Sequence, residues 1–304
     1  MEPAEHAPDR LGSAVALRLL AAATATLLGF CVHAASAHAG TGQVVFLRSV
    51  LSIPPLLLWA VLTGPLSDMR PRAPRRHLIR GIMGGATMLL NFYALAQLPV
   101  TNAQTLSYLT PVLSIPAAVI LLGERLSTRS VVAVALGFAG MMAMLYTATV
   151  RPDWGWSEMS GMIAGISSAF LMALTRVQIR AMTATETITS IALSFAVITT
   201  GMGAVAVAVT GWTPMTGTLW LWAGGAGLLG AVTHIAATAS VARAPISTLA
   251  PVDYSGLVFA LVLDFVLFAH LPGAWGWLGI ALITIAGLLT ALAGRPVASG
   301  LRGR

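Results

Sequence analysis

Ten predominantly apolar stretches, each close to twenty residues long, dominate this sequence and restrict what it can fold into. They lie at about 13–35, 42–63, 78–97, 102–122, 128–147, 157–176, 185–209, 217–241, 246–269 and 274–293. A helix rises about 1.5 Å per residue, so about twenty residues cross the roughly 30 Å of hydrocarbon in a bilayer. The runs are too long for membrane strands and do not alternate in polarity. Only 9% of the 304 residues are charged and 57% are hydrophobic, whereas soluble domains carry roughly 25% charged residues. The expectation is an all-α membrane protein of ten transmembrane helices.

Charge placement gives the orientation. All 17 positive residues are arginine, and the net charge is +7. With the N-terminus inside, the cytoplasmic segments hold Arg10, then Arg70, Arg72, Arg75 and Arg76, then Arg125 and Arg129. They continue with Arg176 and Arg180, Arg243, and Arg295, Arg302 and Arg304, while Arg18 and Arg80 fall near inner helix ends. The outer loops hold Arg151. This inward excess predicts a multi-pass inner-membrane protein with both termini cytoplasmic, and it explains the basic balance without nucleic acid. Trp154, Trp156, Trp212, Trp275 and Trp277 at the outer ends suit the headgroup level. Arg10, Arg18, the following apolar run and SAHAG at 36–40 also have the outline of a signal peptide. Cleavage there would leave nine spans, so the segment is read as the first span. The lone Cys31 allows no internal disulfide or cysteine metal cluster.

Ten spans divide into two sets of five, and an odd number puts the second set into the membrane upside down. Inverted repeats are a recurring transporter architecture with the solute site between the halves. A shift of 146 residues lays LSYLTPVLSIPAAVILLGERL (106–126) on VDYSGLVFALVLDFVLFAHLP (252–272), with Tyr108 on Tyr254, Val112 on Val258 and Leu121 on Leu267. The divisions are a tail at 1–12, repeats at 13–147 and 157–293, and a tail at 294–304.

Charge at membrane depth costs at least about 2.5–3.5 kcal/mol on insertion scales, so such residues need a partner, water or a use. Asp253 and Asp264 share one side of the ninth span, eleven residues or about 16 Å apart. Pro251 removes a backbone donor and loosens the helix below Asp253. A carboxylate there suits proton coupling or amine recognition, with a pKa raised toward neutrality unless a cation sits beside it. Arg48 and Asp264 stand at similar depth from the outer side and are candidates for an ion-paired gate; a snorkelling arginine is the alternative. His234 shares a stripe with Gly227, Ala231 and Thr238, where it binds solute, titrates or packs. Further stripes carry Thr87 and Asn91, then Gln104, Ser107 and Tyr108, then Gly165, Ser168, Met172 and Thr175. Small and polar stripes also serve as helix-packing contacts. Spans 3, 4, 6, 8 and 9 hold most deep polar groups, whereas 5 and 10 are almost uniformly apolar. Solute-binding or coupling candidates are therefore Asp253, Tyr254, His234, Asn91, Gln104, Ser107, Tyr108 and Ser168. Gate or ion-pair candidates are Arg48, Asp264 and Glu124.

LLGERLS (121–127) followed by ALGFAG (135–140), and APVDYSGLVFALVLDFVLFAHLP (250–272) followed by GWLGIALITIAG (276–287), occur here in order. With these segments and Arg48 in FLRSV, the chain resembles the ten-helix EamA-type members of the drug/metabolite transporter superfamily over about 13–293. His270 stands where a second Glu is usual, and Asp264 where a small residue is common. The resemblance implies a secondary transporter of a small amphipathic metabolite, by exchange or with protons, and allows amino acids, amines, carboxylates, nucleoside-like cofactors and vitamins such as riboflavin. The alternatives are a passive facilitator on the same scaffold and an intramembrane enzyme. There is no GxxxxGK[ST], HExxH or GxSxG motif. The reading assigns no catalytic residue, no metal and no cofactor. Its partners are a small-molecule solute and the lipid bilayer, and it is compatible with a homodimer.

Overall fold

The structure, a computed structural model, describes residues 7–97, 106–107, 109–124, 127–146, 155–268 and 274–292. Helices occupy all ten expected positions: α1 (Ala7–Ser36), α2 (Thr41–Thr63), α3 (Pro74–Gln97), α4 (Leu109–Leu122) and α5 (Thr128–Tyr146) in one half. In the other lie α6 (Trp156–Met182), α7 (Ile188–Thr210), α8 (Gly217–Arg243), the ninth span and α10 (Ala274–Leu292). Five of them, α1, α2, α6, α7 and α8, are individually long and apolar enough to cross a membrane over their described residues. The ninth span comes in pieces: a helical turn at Ile246–Leu249, a 3-10 segment at Ala250–Tyr254, and α9 at Ser255–Phe268. Pro251 sits at the start of the 3-10 segment, where its missing N–H removes an α-helical bond.

The packing displays the inverted repeat far more clearly than the sequence does. The largest contacts run between halves, and exchanging each helix for the one five places on leaves their pattern unchanged. Thus α1 lies along α8 as α6 lies along α3, and α2 touches α8 as α7 touches α3. Likewise α4 meets α6 as α9 meets α1, while α2–α7 and α5–α10 map onto themselves. The halves are interleaved, each completing the other's packing.

Glycine sets the closest of these approaches, because helices in lipid gain from backbone proximity. A Cβ on Gly203 of α7 would stand 2.6 Å from the Phe46 nitrogen of α2. One on Gly227 of α8 would meet the Leu51 carbonyl carbon at 2.8 Å, and one on Gly140 of α5 the Gly279 oxygen of α10 at 2.9 Å. Any side chain at these positions pushes two backbones apart.

Two corrections to the sequence reading follow from helix length and burial. α6 runs on to Met182, so Arg176 and Arg180 belong to a helix and not to a loop. Arg18 and Arg80, read as inner-end charges, are buried at 6% and 3% exposure. Trp156, Trp212, Trp275 and Trp277 are exposed; Trp154 lies outside the described residues.

Candidate functional site

A cavity of about 350 Å³ opens between the halves, within the usual range of small-molecule sites. Its wall is drawn from α1, α3, α6, α8 and spans four and nine, with Phe195 added from α7. No described residue of α5 or α10 lines it. Most of the lining is apolar, including Ala21, Ala25, Pro111, Met172 and Ile179. Into this surface project Arg18, Arg80, Arg176, Asp253 and His234.

Asp253 is held from two sides. Arg18 Nε donates to its Oδ1 at 2.6 Å, and Arg176 Nη1 donates to its Oδ2. The 3-10 geometry of 250–254 places the carboxylate between α1 and α6, so one acid joins three segments from both halves. Charge-assisted bonds of this kind offset burial that each ion alone would not survive. The condition attached to Asp253 in the sequence, a neutral-range pKa unless a cation is adjacent, meets two cations.

A second chain of contacts reaches the cavity wall at His234, Phe195 and Arg80. Arg48 Nη2 lies 3.2 Å from His234 Nε2, and Arg48 Nη1 lies 2.9 Å from the Met88 sulfur. A guanidinium only donates, so His234 Nε2 accepts and its proton sits on Nδ1. The His234 ring stands edge-on to Phe195, centroids 4.5 Å apart, and the Arg80 guanidinium carbon lies 3.9 Å above the Phe195 centroid. Gly84, one turn from Arg80, makes room: a Cβ there would stand 2.7 Å from the Phe195 ring. A Cβ on Gly230, by contrast, would meet Arg48 Nε at 3.4 Å, an ordinary contact.

The remaining candidates separate. Ser107 lines the cavity and accepts from Asn91 Nδ2 at 2.9 Å. By the shift of 146 it is the counterpart of Asp253. Ser168 faces away from the lining and donates to the Thr87 carbonyl at 3.0 Å, joining α6 to α3. Tyr254 is fully buried against Ile283, its ring filling the space a Cβ on Gly137 would take. Gln104, Tyr108 and His270 lie outside the described residues, as does the side chain of Asp264. The described partners of Arg48 are therefore His234 and Met88. Glu124 is a helix cap: α4 ends on Gly123 at φ 66, with Glu124 N–H reaching back to the Ala118 carbonyl. Only glycine adopts that left-handed turn at no cost. The turn swings the carboxylate to the ninth span, where it accepts from Ile246 N at 3.1 Å, Ser247 N at 3.1 Å and Ser247 Oγ at 2.8 Å. Arg18, Arg80 and Arg176 were missed as site residues because an arginine near a span end already has a topological explanation.

Known proteins agree with this geometry. Residues 12–146 match the EamA-like transporter family. A riboflavin transporter of Rhizobium johnstonii is 31% identical over 225 residues, 73% of this chain and 72% of that protein. A pseudopaline exporter of Pseudomonas aeruginosa is 30% identical over 118 residues, 39% of this chain, and the match spans only 41% of the exporter. A solved crystal structure superposes with a TM-score of 0.81 at 20% identity, covering 94% of this chain and 99% of that one, which establishes the shared fold. The chain belongs to the EamA-like transporter family, a family of ten-helix membrane proteins.

Proposed function

We propose that the chain is an inner-membrane secondary transporter that moves a small amphipathic metabolite by alternating access. Residues 13–147 and 157–293 act as the two repeats, with both termini in the cytoplasm. The observation that carries this reading is the cavity between the halves, apolar over most of its wall and charged at a few points. A solute bound there touches helices of both repeats, so a relative movement of the repeats changes which side it meets.

Exchange is favoured over proton coupling through Asp253. Protonating that carboxylate would weaken its bonds to Arg18 and Arg176 and leave one buried and one partly buried guanidinium without their acid. The test is a thermal-shift screen of purified protein against metabolites, followed by counterflow of each hit in proteoliposomes. Trans-stimulation is the expected result. Flux without trans-stimulation would make the protein a passive facilitator, and chemical conversion of a trapped solute would make it an enzyme.

A further inference from the structure

Four arginines stand at the cavity region, three of them buried (Arg18, Arg48 and Arg80) and Arg176 partly so, and three of the four have visible partners. Arg18 and Arg176 share Asp253, and Arg48 is bonded to His234 and Met88. Arg80 differs. It is 3% exposed and lines the cavity, yet its Nε and Nη1 have no hydrogen-bond partner among the described residues. Phe195 covers the face of its guanidinium at 3.9 Å, which supplies cation–π attraction but satisfies no N–H. Across the α3–α6 contact, Thr175 repeats the pattern: it is 2% exposed, lines the same cavity, and its Oγ1 has no partner among the described residues. A buried donor left unbonded is costly, and more so when charged. Two such groups on one cavity wall define what is missing: an acceptor carrying negative charge.

We infer that Arg80 and Thr175 form a subsite for an oxyanion of the transported solute, a carboxylate or a phosphate-type group. The inference rests on the transport reading above only for the role of the cavity. Charge on the wall points the same way, with three arginines facing the single acid Asp253, both of whose oxygens are already engaged. Among the described lining residues an amine finds no free carboxylate, which favours the anion over the amine branch of the sequence reading. Guanidinium stacked on an aromatic ring is pre-organised for planar oxyanions, since little of its freedom is left to lose. The Ala, Pro and Met surface beside it takes an apolar body. The solute class is thus an amphipathic anion.

The test uses isosteric probes on purified full-length protein in nanodiscs, read by thermal shift and titration. Benzoate and phenylphosphonate carry the anion, benzamide is the neutral isostere and benzylamine the cation. Either or both anions should stabilise the protein, and the neutral and cationic probes should not. R80Q should weaken anion binding by about ten- to a hundredfold, and R80K, which keeps charge but not the planar fork, by less. Thr175→Val, which keeps shape, should weaken it several-fold, and this variant decides the matter if R80Q does not fold. Equal binding of benzamide or benzylamine overturns the inference, as does unaltered anion binding in R80Q or in Thr175→Val. Absence of binding by every probe overturns it too. Nanodiscs with and without phosphatidylglycerol separate the two sources of an anion: a shift seen only without that lipid assigns the subsite to a headgroup and overturns the solute reading. Counterflow of a neutral metabolite would retain the transporter and discard the anion subsite, so the two failures are distinguishable.

Discussion

Glu124 and Glu186 occupy reciprocal places, each leaving its own half to cap a helix of the other. Glu124 accepts from the backbone N–H groups of Ile246 and Ser247 at the start of the ninth span. Glu186, between α6 and α7, accepts from Arg72 N at 3.0 Å and Ala73 N at 2.7 Å, just ahead of α3. Helix starts expose unpaired N–H groups and the positive end of the dipole, so a carboxylate stabilises both. The two halves are thereby tied together on the arginine-rich side by matching devices.

Glu186 makes a pH prediction. Burial pushes its carboxyl up, but the N–H groups of Arg72 and Ala73 and the His77 imidazole at 3.2 Å outweigh this and hold it below the usual range. A folded pKa below the unfolded value of about 4.3 contributes stability that is complete above that value and lost as pH falls through the folded pKa. Glu186→Gln should therefore cost about 1–2 kcal/mol near neutral pH, with the gap to wild type closing below about pH 4. Unfolding midpoints in detergent across that range test it; a gap independent of pH rejects the assignment.

Removing Asp253 should be severe. Asp253→Ala leaves the buried Arg18 and the partly buried Arg176 as neighbouring cations without their acid, and loss of one partner from a buried ion pair costs about 3–5 kcal/mol. Combining Asp253→Asn with Arg18→Gln should cost less than the sum of the two single changes. Additive losses in folded yield and unfolding midpoint would show that the three groups do not act as a unit.

The bond from Arg48 to His234 is open to a double-mutant cycle. His234→Phe keeps a ring against Phe195 but removes the acceptor, and should cost about 1.5–3 kcal/mol. In an Arg48→Met background the same change should cost far less. Running Arg48 against Asp264→Ala alongside tests the outer pair read from the sequence. Coupling to Asp264 but not to His234 would replace the contact described here.

Topology is checked by reporter fusions. Those placed after residues 40, 70, 100 and 304 should read outside, inside, outside and inside. A C-terminus outside the cytoplasm would remove one span from the count.

The spans were legible because bilayer thickness fixes a length that few other structures require. The end of α6 was not, since Arg176 and Arg180 read as loop charge while the helix continued beneath them to Met182. Asp253 stood out, because a carboxylate in an apolar run has no topological excuse. Its partners did not: Arg18 is 235 residues away in sequence, and one sequence carries no trace of that pairing. Arg80 had a local sign, the glycines at 81, 84 and 85 that let α7 close over it, but glycine is common in membrane helices. Ser168 and Tyr254 followed the right periodicity and turned out to join helices, which periodicity cannot distinguish from lining a cavity.

On the alternating-access mechanism proposed above, the self-matching contacts, α2 with α7 and α5 with α10, carry a further implication. Were the repeats to trade conformations, these two seams would become themselves again, so they would serve as a fulcrum and could not tell one side of the membrane from the other. A protein with perfect internal symmetry would rest equally in both openings. Any preference must come from places where the halves disagree. The sharpest of these is position 107 against position 253, where one repeat carries a neutral hydroxyl bonded to Asn91 and the other an acid clasped by two arginines. On the proposed mechanism, that mismatch is where the molecule would acquire its sense of direction.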